Sequence, residues 1–142
     1  MPKIITNDFE TYYEVHGNGP PLVLIHGVAA CHKAWQMQIA DFSRYFRVIT
    51  YDVRGHGNST ESDQRDSIEL FASDLKVLLN NLGVTKAHIC GFSMGGLIAQ
   101  QFAIDYPSTV DKLIIASTFC HMSYLDKLLV LLIQVTNRIA LL

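Results

Sequence analysis

The residues best suited to do chemistry lie in the stretch CGFSMGG, positions 90 to 96. Ser93 has glycine two positions before it (Gly91) and two after it (Gly95). That spacing suits a sharp turn from a strand into a helix, where a strained serine backbone leaves no room for a Cβ at either flanking position. Such a turn stands the serine Oγ at the carboxyl edge of a sheet and faces it with the first amides of the next helix. A nucleophile needs this arrangement when negative charge develops on a carbonyl oxygen. Met94 supplies one backbone N–H. The second donor is expected from the loop after the third strand, His26-Gly27-Val28, at Val28. His26, Gly27 and Phe92 are the expected substrate-contacting neighbours. The competing reading makes Ser93 a plain helix N-cap, a position serine favours.

The remaining candidate groups read as support. His26 orients its turn, and His56 braces the loop RGHG. Asp52 and Arg54 read as an internal charge pair holding the loop after the fourth strand, while His16 and His32 read as exposed loop residues. His88 precedes Ser93 at the start of the same strand, roughly 16 Å away at strand rise, so it cannot serve as base. Cys90 reads as a small apolar core residue, and Trp35 as core packing with a pocket rim as the alternative.

Alternating elements must position these groups. Strands are expected over 3–6, 11–17, 22–27, 46–52, 86–92 and 111–118. Helices are expected over 34–42, from a cap at Asp66 or Ser67 to about Leu82, and over 93–107. The continuous apolar run LVLIHG, 22–27, fits a strand covered on both faces. Strands alternating with helices imply an α/β fold with a mostly parallel sheet and helices on both faces. The expected partition is a core domain over 1–121, then an apolar helix over 122–142.

Composition narrows the partners. The 142 residues carry a formal net charge of −2 and are 49% hydrophobic and 17% charged, with mean hydropathy +0.21. No basic run points to nucleic acid or to a membrane surface, so a small-molecule ligand is expected. Cys31, Cys90 and Cys120 lack paired spacing, so neither a disulfide framework nor a zinc site is expected, and a reducing cytoplasm is the simpler setting. No cofactor and no metal are expected. The N-terminus has no apolar signal segment, and the apolar run at 128–135 is too short to span a bilayer.

LVLIHG, YDVRGHGNS and CGFSMGG, in this order, resemble the α/β-hydrolase fold superfamily, specifically its N-terminal half. Within it the chain is similar to small esterases and lactonases, including 3-oxoadipate enol-lactonases and the cofactor-free haloperoxidase group. The resemblance implies a serine hydrolase that cleaves a carboxylic ester or lactone through an acyl-enzyme on Ser93. Serine at this position argues against the haloalkane dehalogenase and epoxide hydrolase branches, which use a carboxylate. It also implies that a triad acid and histidine follow Ser93 in sequence. Their matching positions are not among these residues, so the sheet is expected to stop at strand 6, with the rest of the chain resembling the start of a lid. His121 and Asp126 form a conceivable makeshift pair, disfavoured because only an unordered loop could bring His121 to Oγ. The isolated chain is therefore expected to be inactive. The alternative function is a binding module: an inactive fragment, or a subunit completed by a second polypeptide supplying the C-terminal half. Self-association through the strand 6 edge is the further partner expectation.

Overall fold

The computed structural model describes residues 2–61 and 63–119. The chain opens with a hairpin of β1 (Lys3–Thr6) and β2 (Phe9–His16). It continues through β3 (Pro21–Ile25), β4 (Arg47–Tyr51), β5 (Ala87–Phe92) and β6 (Val110–Ala116). The strands form one sheet in the order β1-β2-β4-β3-β5-β6. β1 with β2 and β2 with β4 pair antiparallel, whereas β4, β3, β5 and β6 run parallel to their neighbours. Crossovers between the parallel strands carry the helices α1 (Gln36–Phe42), α2 (Ile68–Asn81) and α3 (Met94–Asp105).

Alternation along β3 shows why its sequence is a continuous apolar run, since neighbouring side chains point to opposite faces. Val23 and Ile25 join Ile49, Leu75, Leu78, Leu79, Ile98 and Phe102 in the main core, against α2 and α3. Leu22 and Leu24 face the other way, with Val48 and Cys90, and are covered by Trp35, Ile39 and Phe46. Both faces of the central strands are thus buried, as expected for a mostly parallel α/β sheet.

Local signals set the helix ends. The Ser67 hydroxyl accepts the Leu70 N–H at 3.1 Å and caps α2. Gly83 ends the same helix at φ +67, which glycine adopts without strain. The helix expected over 34–42 is shorter. His32–Trp35 forms a 3-10 turn first, and α1 begins at Gln36. The second strand begins at Phe9, because the hairpin register pairs Thr6 with Phe9.

β6 closes the sheet on one side. Leu113, Ile114 and Ile115 on it are 38%, 48% and 44% exposed. As consecutive strand residues they point to alternate faces, so both faces of β6 are partly open. The apolar helix expected over 122–142, and with it His121 and Asp126, lies outside the described residues.

Candidate active site

Ser93 occupies the step between β5 and α3 at φ 54, ψ −118, a conformation that is strained for any residue with a Cβ. Its surroundings impose that geometry. The Ser93 N–H donates to the Ala116 carbonyl at 3.0 Å, and the Ser93 carbonyl accepts the Gly96 N–H at 2.9 Å. A Cβ on Gly91 would run into the Gly95 carbonyl oxygen, and one on Gly95 into the Ile25 carbonyl oxygen. The flanking glycines are therefore required by the close approach of β5, α3 and β3. The side chain of Ser93 is half-buried, at the carboxyl end of the sheet.

The turn after β3 comes up against Ser93. A Cβ on Gly27 would lie 3.2 Å from the Ser93 Cβ and 3.4 Å from Cδ1 of Phe92. Gly27 is buried, Val28 and Met94 are half-buried, and Phe92 is 45% exposed beside the serine. The structure thus brings the 26–28 turn, Phe92, Ser93 and Met94 together at one edge.

His26 holds this turn. Its Nε2 accepts the Val53 N–H at 3.0 Å, which leaves Nδ1 to donate to the Gly27 carbonyl at 2.8 Å. Burial pushes its pKa from 6.5 down to about 4. The Gly27 carbonyl opposes that shift, and His56 nearby adds to it. The ring of His26, expected among the substrate contacts, is fully buried with both nitrogens engaged, and its bond to Gly27 holds the turn. His56 reaches its own loop through Nδ1 and the Arg54 carbonyl at 2.9 Å.

Three expectations, for the Asp52–Arg54 pair, for His32 and for His16, need correction. Arg54 sends its charge to Asp74, with Nε to Oδ2 at 2.9 Å and Nη2 to Oδ1 at 2.8 Å, and to Asp8 at 2.8 Å. The Asp52 carboxylate is instead held by His32 and Asn58. Its Oδ1 accepts the His32 N–H at 2.6 Å and lies 2.8 Å from His32 Nδ1, and its Oδ2 accepts the Asn58 N–H at 2.8 Å. His32 is therefore 4% exposed rather than a surface residue. His16 ends β2 half-buried, with Nε2 3.0 Å from Glu14. The sequence did carry a signal for Asp74: it sits between Phe71 and Leu78 at helical spacing, an acid on the core-facing stripe of α2.

His88 lies at the other end of β5, 3.2 Å from Asp111. Cys90 is buried in the second core cluster, and burial raises its thiol pKa, which disfavours the nucleophilic thiolate. Trp35 packs on the same cluster. Among the described residues no helix is long and apolar enough to cross a membrane.

The family model for the alpha/beta hydrolase fold matches residues 20–134. The chain belongs to that family. It is 37% identical over 99 residues to 3-oxoadipate enol-lactonase 2 of Acinetobacter baylyi, covering 70% of this chain and 37% of that one. It is 32% identical over 121 residues to epoxide hydrolase 3 of Mus musculus, covering 82% and 33%. A solved structure described as Est816, an N-acyl homoserine lactone degrading enzyme, aligns at TM-score 0.79 and 33% identity, covering 82% of this chain and 45% of that one. The chain thus spans less than half the length of each.

Proposed function

We propose that these residues carry the nucleophile and the oxyanion-binding edge of a hydrolase for carboxylic esters or lactones, acting through an acyl-enzyme on Ser93. The observation that supports this most is the Ser93 backbone at φ 54, ψ −118, with glycine at each position where a Cβ would meet a carbonyl oxygen. A cap serves a helix without such strain; an exposed Oγ above fresh helix amides is what the strain provides. In the proposed reaction Ser93 Oγ attacks the substrate carbonyl carbon while the Met94 and Val28 N–H groups stabilise the oxyanion. The alkoxy group then leaves with a proton, and water releases the acid. His26 fixes the turn that carries Val28, and Gly27 and Phe92 line the approach. The general base is a histidine supplied from beyond these residues, either in a longer protein or by a second polypeptide. The similarity to a lactonase and to a lactone-degrading enzyme supports the substrate class.

The test is covalent labelling by a fluorophosphonate, which traps activated serines. Labelling of the folded wild-type chain is expected to rise well above that of Ser93→Ala once the base-bearing polypeptide is present. Equal labelling of wild type and variant in that mixture refutes the assignment.

A second reading, a binding module without chemistry of its own, is favoured by the open apolar face and edge of β6. It predicts binding by the folded chain and no label on Ser93 under any pairing.

A further inference from the structure

Cys31, His32 and Asp52 follow the carboxyl ends of β3 and β4, and one ligating atom from each falls within 4.8 Å of the other two. We propose that they form a binding site for a thiophilic divalent ion, of which Zn²⁺ is the best chemical match. A thiolate, an imidazole nitrogen and a carboxylate oxygen together suit zinc and disfavour Mg²⁺ or Ca²⁺, which prefer all-oxygen cages.

The donors are not loose surface groups. Asp52 is fully buried and His32 4% exposed, and Cys31 is half-buried and in no disulfide. Asp52 is held in place by the His32 and Asn58 backbone N–H groups, and Gly57 packs so closely on its carboxylate that a Cβ there would collide with Oδ2. His32 has the outer partner that metal-bound histidines need to fix ring orientation. With Nδ1 turned to Asp52, Nε2 lies 3.5 Å from Glu14 Oε1. Glu14 is itself fixed by the Tyr12 hydroxyl at 2.6 Å and by His16 Nε2 at 3.0 Å. A cleft of about 260 Å³ lined by Glu14, His16, His32, Lys33, Gln36 and Ile39 reaches the His32 side chain.

Two adjustments bring the donors to bonding distance: the Cys31 thiolate, within 4.8 Å of the other two ligating atoms, settles about 3.5 Å from each, and one hydrogen bond opens. Tetrahedral zinc with bonds near 2.0–2.1 Å separates its N and O donors by about 3.3 Å, so the 2.8 Å between His32 Nδ1 and Asp52 Oδ1 opens by roughly half an ångström. The ion takes the place of the Nδ1 proton, which passes to Nε2 beside Glu14, and of the Cys31 thiol proton, which leaves to water. Bound there, it would tie the turn after β3, which carries Val28, to the loop after β4. Cys31 and His32 are adjacent and Asp52 is far along the chain, a spacing unlike the usual zinc motifs.

Cobalt reports directly on the thiolate. Adding Co²⁺ to the reduced, metal-free folded chain is expected to give a sulfur-to-cobalt charge-transfer band, which a matching amount of Zn²⁺ bleaches. Cys31→Ala, checked for folding by circular dichroism, should lose the band, and a Cys90→Ala/Cys120→Ala chain should keep it. Glu14→Gln should keep the band but weaken Co²⁺ binding about 10–100-fold. No band in the wild-type chain, or a band that survives Cys31→Ala, overturns the site. Unchanged affinity in Glu14→Gln overturns the part given to Glu14.

Discussion

His26 should make the stability of this fold depend on pH in a calculable way. Its ring is neutral and buried, with Nε2 accepting the Val53 N–H and Nδ1 donating to the Gly27 carbonyl. Burial lowers its folded pKa from 6.5 to about 4. Between those values the unfolded chain binds a proton that the folded chain refuses, so folding stability rises with pH across the window. The contribution is complete above about pH 6.5 and is lost as pH falls toward 4. At 1.36 kcal/mol for each pH unit separating the two values, the full change is on the order of 3 kcal/mol. Protonation also destroys the Nε2 acceptor, so the turn bearing Val28 loosens over the same range. The assay is urea unfolding of wild type and His26→Gln at several values between pH 7.5 and 4.5. Glutamine can still accept from Val53 and donate to Gly27 but does not titrate, and the other histidines are common to both chains. The wild-type stability should fall more steeply with acid, so that the two curves converge. Parallel curves would refute the placement of a neutral, buried imidazole at this turn.

Two further outcomes follow from the same geometry. Ser93→Gly should relieve part of the 1–3 kcal/mol of strain typical of such a backbone, estimated at about 1 kcal/mol. That would raise the thermal midpoint by about 4 °C while removing the labelled group. A lower midpoint in calorimetry would show that Ser93 is not strained. Asp74→Ala strips the buried Arg54 guanidinium of its two-point partner while Asp8 stays beside it, and should cost about 1.5–3 kcal/mol in urea unfolding. Arg54→Met with Asp74→Leu should recover most of that loss; a single variant as stable as wild type would contradict the buried pair.

What could be read from the sequence was local. The continuous run at Leu22 to Ile25 gave a doubly covered strand, and Ser67 and Gly83 marked the ends of α2, because each signal acts within a few residues. Gly91 and Gly95 announced the Ser93 turn for the same reason, although the carbonyl oxygens that exclude their side chains come partly from β3. Long-range partner choice was not readable. Asp52 and Arg54 stand two residues apart with opposite charge and invite pairing, yet their carboxylate and guanidinium are taken by His32 and Asn58 and by Asp74 and Asp8. His32 reads as an exposed loop residue, yet Tyr12, Glu14 and Asp52, brought from elsewhere in the chain, bury its ring. Charges report their partners poorly because the partner is set by the sheet order, not by distance along the chain.

The strain at Ser93 and the openness of β6 are linked through one strand. β6 is paired with β5 in the register Gly91 to Ile115 and Phe92 to Ala116, and the next step of that ladder is the Ser93 N–H on the Ala116 carbonyl at 3.0 Å. A strained residue persists only while its neighbours over-determine it, so the hold on Ser93 is only as firm as the edge strand that supplies this acceptor. Edge strands open more readily than interior ones because fewer buried contacts oppose the opening, and Leu113 to Ile115 retain much of their surface in water. Pairing along the side of β6 that no described strand occupies would bury that surface and stiffen Ala116, and through it the Ser93 turn. A polypeptide docking on β6 would thereby stabilise the Ser93 backbone.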